Sequence, residues 1–513
     1  MARPSTSYAP RRPEQGVLYQ IVQEHFDTFR AQAARLRNGE GLPRFVEQEF
    51  RNFLTCGCLA GGFARFHCAC GFDRLVPFSC KSRAICASCG GRRMAERAAH
   101  LVDHVFPDVP IRQWVLSVPY RLRYQLAWDH DLCRAVTGVA VRGVLGWLRR
   151  RARLDGVRDG RGGAVAVIQR FGGSANLNVH LHALALDGVF ATCDTGGLVF
   201  HPASPVTDLD VAEVLATIES GIGRLLERRG RGDDDQAADP LAEESLVLAG
   251  LAAASVQGRV ALGATRGARV GRLGDRDDPG EAEEPATPGR GHARSDGFDL
   301  HAGRVVPAGQ RDQLEQVCAY VLRPTVAQER LRVTADGQVL LRFRQPWRDG
   351  TTHLVFDPVE FLGRLAVLIP RPRINLILYH GVLAPRAAWR SAIVPSPAAA
   401  GGEAEAPVPD TPVPDATAAD AEAVARRRAR GRTWAALMAR TFGLDVLACP
   451  RCGGRLRLVA LIEQRTVIDR ILRHLGLPTE TPAPRPARPP PTGRDTSDAP
   501  RWDEDLPVIH VVH

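Results

Sequence analysis

Leu177-Asn-Val-His-Leu-His-Ala-Leu-Ala-Leu186 reads as a β-strand. Val179, Leu181, Ala183 and Ala185 fall on one side of it, and Asn178, His180, His182 and Leu184 on the other. The two histidines therefore project side by side. Neutral imidazoles held on one rigid face, with Val179 and Leu181 anchored behind them, are half of a divalent-metal site. Strand histidines also serve as hydrogen-bonded core or surface groups, so the flanking sequence has to decide the role.

Just upstream, AVAVIQRF is a second β-rich run, separated from the first by Gly172-Gly-Ser-Ala175, which is the pattern of an antiparallel hairpin. Asp187-Gly188 supplies the next turn. Further out, IRQWVLSVP is a strand from Ile111 that ends at Pro119, and Arg121 to Arg153 is helical, closing in the basic run LRRRAR. Downstream, RDQLEQVCAYVLR carries Leu314, Val317, Val321 and Leu322 at helical spacing and is stopped by Pro324, with Tyr320 near its end. LRVTADGQVLLRFR is a strand pair turning at Asp336-Gly337, and DPVEFLGRLAVLI an amphipathic helix. The expected fold class is α+β: an antiparallel sheet with helices packed on one face.

The densest chemistry precedes this sheet. Cys56, Cys58, Cys68, Cys70, Cys80, Cys86 and Cys89 lie within 34 residues of a chain with 12 cysteines. Cys68-x-Cys70 and Cys86-x-x-Cys89, fifteen residues apart, approach the two-knuckle spacing of a zinc ribbon, each followed by a glycine, Gly71 or Gly90, where a tight turn needs permissive backbone. The first pair has one spacer where two are usual, which leaves Cys56, Cys58, His67 and Cys80 as substitute ligands. Lys81, Arg83, Arg92, Arg93 and Arg97 rim the cluster, so a DNA-contacting ribbon is one reading and a purely structural staple another. Near the other end, Cys449-Pro-Arg-Cys452-Gly-Gly is a lone knuckle, suited to half of a shared metal site.

Bulk properties fit this picture. A chain of 513 residues needs more than one core. Its net charge of +10 and pI near 9.3 favour a polyanionic partner. Lys81 is the sole lysine, so the cations are nearly all guanidinium, which binds phosphate bidentately but which a GC-rich genome also produces. No apolar run is long enough to cross a bilayer and the opening residues lack an apolar signal core, which points to a cytosolic chain whose clustered thiols serve metals before disulfides.

By this reading, residues 1–50 are a helical lead-in, 51–98 a zinc ribbon and 108–390 the sheet domain. Charged Pro/Gly-rich insertions around 228–245 and 274–297 are expected to be disordered, as are a linker over 391–425 and a tail over 476–513. Residues 426–475 form a basic helix and the second knuckle.

Several segments carry a family resemblance: FSCKSR-x-x-CASCGGRRMAE, IRQWVLSVPYRLRY, LNVHLHALALDGVF, YVLRPTVAQERL, YHGVLAP and DVLACPRCGGRLRL. The chain resembles the HUH rolling-circle transposases of the insertion-sequence-ninety-one type, which carry an amino-terminal zinc-binding domain. The resemblance implies an HUH endonuclease sheet that cuts and rejoins single-stranded DNA at element ends and target through a 5′-phosphotyrosine. Its site would hold catalytic Mg²⁺ or Mn²⁺ on His180 and His182, with structural Zn²⁺ elsewhere and Tyr320 as nucleophile. Such a protein works on DNA at the nucleoid, with no membrane partner. Some members carry a second tyrosine four residues on; Pro324 stands there, placing this chain with the single-tyrosine branch.

Of six tyrosines, Tyr120 and Tyr124 in PYRLRY are the serious rivals, with Tyr379 beside His380 a third. Gln316, one turn before Tyr320, and Asp187 are candidate third metal ligands, and Arg323 a phosphate contact alongside Arg83, Arg92 and Arg93. The competing reading is a non-catalytic zinc-ribbon DNA-binding protein or an inactive transposase relic.

Overall fold

The run Gly163–Phe171 is apolar on both alternating sets, as is much of Leu177–Leu186, so these strands are built to be covered from both sides. The computed structural model describes residues 12–35, 41–231, 239–263, 265–274, 291–347, 349–394, 435–441 and 443–487. It divides into two compact units.

The larger unit holds a six-stranded antiparallel sheet of order β14-β4-β5-β3-β10-β9. Its strands are β3 (Ile111–Ser117), β4 (Gly163–Phe171), β5 (Leu177–Leu186), β9 (His292–Ser295), β10 (Phe298–Val306) and β14 (Ile377–Gly381). The hairpin expected across Gly172–Ala175 is the β4–β5 pair, and it is central. Along one sheet face, Val165, Val167 and Leu184 pack with Leu101 and Val102 of α3 (Ala87–His104) and with Leu314, Val317 and Val321 of α9 (Arg311–Val321). The other face presents Trp114, Ala166, Leu181 and Leu300 to Val141 and Val144 of α5 (His130–Leu154) and Ile218 of α6 (Asp208–Arg228). Helices therefore cover both faces, where one was expected, because β4 and β5 carry buried apolar residues on each.

Around this core lie α1 (Val17–Arg35), most of α2 (Arg44–Thr55), α4 (Tyr120–Trp128), α7 (Pro240–Glu244), α8 (Leu246–Val256), α10 (Pro358–Leu368) and α11 (Arg390–Ile393). A hairpin of β6 (Gly188–Thr192) and β7 (Leu198–Pro202) adds to it. So does a four-stranded sheet, β11-β12-β13-β8, of Leu331–Val333, Val339–Arg342, Thr351–Phe356 and Gly271–Gly274. The expected amphipathic helix α10 is instead buried all round, its Glu360 and Arg364 closing a 3.0 Å ion pair within the core.

The smaller unit is a three-stranded sheet, β15-β1-β2, of β1 (Phe63–His67), β2 (Asp73–Pro77) and β15 (Arg457–Ile462). Ala60, Phe63, and Ile468 and Leu472 of α12 (Arg465–His474) form its small core. The ribbon is thus not a continuous 51–98 segment: β1 and β2 complete their sheet with a strand almost four hundred residues later, since two short strands cannot bury a face alone.

Parts of the expected disordered insertions are folded. Asp239 caps α7, accepting from the Leu241 and Ala242 amides. Residues 292–306 form the β9–β10 hairpin, turned by Asp296-Gly297 with φ of 45° and 78°, the left-handed pair of a type I′ turn. The Asp-Gly between HARS and FDLH was the signal, and the surrounding charge obscured it. Residues 232–238, 275–290, 395–434 and 488–513, which include most of the linker, the start of the basic helix and most of the tail, lie outside the described residues.

Candidate active site and metal centres

In the larger unit, β5 delivers His180 and His182 to the sheet face that α9 covers. Their ring centroids are 4.9 Å apart, and the Tyr320 ring meets His182 edge-on at 6.4 Å and 87°. Tyr320 sits one residue before the end of α9 and keeps 42% of its surface exposed. Pro324 ends that helix against α3: a Cβ on Gly90 would lie 2.8 Å from the proline Cβ.

Both imidazoles are held neutral. Burial pushes His182 down to about 3, helped by neighbouring His180 and Arg323. Burial likewise lowers His180, together with Arg323 and Arg123 and against a raising hydrogen bond to Asn178. His180 Nδ1 lies 2.9 Å from the Asn178 carbonyl, which can only accept, so the ring proton is at Nδ1 and Nε2 keeps its lone pair. His182 Nδ1 lies 3.0 Å from Gln113 Nε2, which can only donate, so in this orientation of the amide the His182 lone pair is at Nδ1 and its proton at Nε2; the opposite orientation of the amide, with its oxygen accepting, bares Nε2 for a cation. The buried His182 Nε2 has no hydrogen-bond partner.

Gln169 stands directly opposite His180 on β4. Its Nε2 donates to the Val321 carbonyl at 3.1 Å, while its Oε1 is buried and unbonded. An orphaned imidazole nitrogen and an orphaned amide oxygen on one face are what a hard-to-borderline cation would satisfy. Gln113 and Gln169 escaped the sequence reading, although a glutamine inside otherwise apolar strand runs, IRQWVLS and AVAVIQRF, is a readable signal.

The third ligands expected from sequence lie differently. Asp187 is at the far end of β5, five residues beyond His182 and so about 17 Å along the strand. Both its oxygens accept from Arg112 at 2.8 Å, in a buried bidentate pair that leaves nothing for a metal. Gln316 lies on α9 four residues before Tyr320 and is exposed.

Guanidinium groups crowd the tyrosine. Arg323 lies over the Tyr320 ring at 4.2 Å and the Phe171 ring at 5.5 Å. Arg330 is lowered by burial and then by Arg344 and Arg323, a like-charge cluster suited to phosphate. Arg83 and Arg93 are engaged by the protein itself, Arg83 on the Ile374 carbonyl and Arg93 on those of Ser82 and Lys81. Arg92 lies half-buried on α3.

The rival tyrosines are elsewhere. Tyr124 is half-buried and donates to Asp239 at 2.6 Å; burial first, then that carboxylate, push its phenol far above 10, the opposite of what a phenolate nucleophile needs. Tyr120 is 55% exposed on α4, and Tyr379 packs against the core from the edge strand β14.

In the smaller unit, the register of β1 against β15 sets His67 opposite Arg457, so the Cys449–Cys452 knuckle arrives beside Cys68 and Cys70. Cys68 Sγ is 3.5 Å from Cys452 Sγ, and Cys70 Sγ 3.7 Å from Cys449 Sγ. Tetrahedral zinc with bonds of about 2.3 Å needs sulfurs about 3.8 Å apart, so the four thiols fit a closed structural zinc site. Burial opposes ionisation of Cys449, yet the backbone N–H groups of Arg451 and Cys452 and the neighbouring thiols bring it down to about 6. Cys68 and Cys70 are met by Cys449 and Cys452, which the sequence offered as a lone knuckle, whereas the two-knuckle spacing had paired them with Cys86 and Cys89. His67 is bound to Asp73 at 3.0 Å instead.

Of the remaining thiols, Cys56 Sγ accepts from the Cys80 amide at 3.4 Å in the smaller unit. In the larger unit Cys86 caps the start of α3, its Sγ accepting from the Cys89 amide at 3.5 Å.

Residues 21–118 match the family model described as "Transposase zinc-binding domain", that of the insertion-sequence-ninety-one type, and residues 163–390 match the one described as "Putative transposase". No curated protein and no solved structure matches the chain. No helix among the described residues is long and apolar enough to cross a membrane. The first match covers Cys68 and Cys70, the second the histidine pair and Tyr320, and a chain carrying both domains in this order belongs to the insertion-sequence-ninety-one family of transposases, which act on DNA.

Proposed function

We propose that this transposase cuts one DNA strand at an element end with Tyr320 and rejoins it elsewhere, by rolling-circle transposition. The observation that carries the proposal is the convergence of Tyr320 and two neutral histidines on one sheet face, with Arg323 over the tyrosine ring and Arg330 and Arg344 within its electrostatic reach. His180, His182 and the orphaned Gln169 Oε1 are the groups that would hold Mg²⁺ or Mn²⁺. When bound, that cation neutralises charge on the non-bridging oxygens of the scissile phosphate.

Tyr320 Oη attacks phosphorus, the phosphorus–oxygen bond to the 3′ carbon side breaks, and the phenolic proton is made up on the released 3′-hydroxyl. The product is a 5′-phosphotyrosine, with no water consumed. Attack on it by another 3′-hydroxyl reverses the step, so rejoining needs no external energy source. Arg323, over the tyrosine ring, is placed to hold the phosphate.

The test is a labelled single-stranded element end incubated with the protein and Mn²⁺, read as an SDS-resistant adduct. Tyr320→Phe abolishes the adduct and Tyr124→Phe retains it. The reverse pattern, or no adduct with any end sequence, overturns the proposal in favour of a DNA-binding protein without cleavage.

A further inference from the structure

The edge hairpin β9–β10 sets His292 directly opposite His301, and Asp299 directly opposite Arg294. The two imidazoles stack with centroids 4.0 Å apart and planes 10° from parallel. Both Nε2 atoms converge on one oxygen: Asp299 Oδ1 is 3.1 Å from His292 and 2.8 Å from His301. Arg294 takes the other oxygen, Oδ2, through Nε at 3.1 Å and Nη2 at 2.9 Å, and so aims Oδ1 at the histidines. Asp208, at the start of α6, accepts from the Gly291 and His292 amides and fixes the backbone beneath.

We propose that His292, Asp299 and His301 form a second cation site, for a borderline divalent transition metal such as Co²⁺, Ni²⁺ or Zn²⁺. Three ligand atoms from two nitrogens and one carboxylate, all within 4.8 Å of one another, are a facial set. Both rings already aim Nε2 at the shared oxygen, so a cation there meets both nitrogens without a change of side-chain position. The carboxylate orientation is already set by Arg294, as outer partners set ligands in metal sites generally. The remaining coordination positions open to solvent, since the His301 side chain is 55% exposed.

The site is separate from the one on β5. His301 pairs with Val115, and Val115 with His182, so the two clusters share a sheet face two strand spacings, about 10 Å, apart. Paired catalytic metals stand about 4 Å apart, so this is not the second ion of such a centre.

Isothermal titration of the zinc-loaded full chain with Co²⁺ tests the inference, comparing wild type, His301→Ala, Asp299→Asn and the double variant His180→Ala/His182→Ala. His301→Ala and Asp299→Asn are each expected to lose one Co²⁺ equivalent per chain, and the double variant to retain it. The wild type should also gain thermal stability on adding Co²⁺ that both single variants lack. Asp299→Asn keeps the side-chain volume, so it decides the matter should His301→Ala fold poorly. An unchanged Co²⁺ count in Asp299→Asn overturns the inference, as does disappearance of all non-cysteine binding in the His180/His182 variant.

Discussion

Gln169 lies opposite His180 across the β4–β5 ladder and is bonded through its amide nitrogen to the Val321 carbonyl, next to Tyr320. One side chain therefore joins the histidine pair to the helix of the nucleophile. Gln169→Ala should raise the Mn²⁺ concentration for half-maximal adduct formation roughly 10- to 100-fold. Gln169→Glu should restore it, because a carboxylate replaces the amide oxygen. Equal metal dependence in wild type and Gln169→Ala would show that Gln169 is not a ligand.

Gly90 and Pro324 fix the approach of α3 to the end of α9. Gly90→Ala places a methyl 2.8 Å from a proline carbon that cannot swing aside, so the helices must separate. A loss of about 1–3 kcal/mol of stability is expected, with a larger proportional fall in adduct yield than in DNA affinity. Urea midpoints together with binding and cleavage assays measure both.

Cys449→Ser should remove one zinc per chain as counted by elemental analysis, and Cys68→Ser should remove the same one. A double variant should lose no more than either single variant. If the two losses add, Cys68 and Cys449 do not share an ion.

Tyr124→Phe separates a structural tyrosine from a chemical one. It removes the hydrogen bond to Asp239, at a cost of about 1–2 kcal/mol below pH 9. The folded phenol is raised above its unfolded value near 10, so its contribution is fully present below that pH. Above pH 10 the unfolded chain releases the proton first, and wild type should lose stability relative to the variant by at most about 1.4 kcal/mol per pH unit. A constant difference between the two up to pH 11 would contradict this.

Much of the fold was legible because its signals are local. Period-two alternation marked β5 and the hairpin, helical spacing followed by Pro324 marked α9, and short cysteine spacings marked the knuckles. The histidine pair and Tyr320 were readable from residue type and position. Their proximity was not, because 138 positions of sequence separate His182 from Tyr320.

What the sequence by itself determined was the set of pieces: a strand carrying His180 and His182, a helix ending at Tyr320, two cysteine pairs of knuckle type and a DNA-acting family. Only the tertiary structure decided how those pieces meet. Strand register brought Cys449 and Cys452 to Cys68 and Cys70, put Gln169 opposite His180, and stacked His292 on His301. It also committed Asp187 to Arg112. The physical reason is range: turns and periodicities are set by neighbours a few residues apart, whereas ligand partnership depends on which strands pair, and apolar burial decides that over the whole chain.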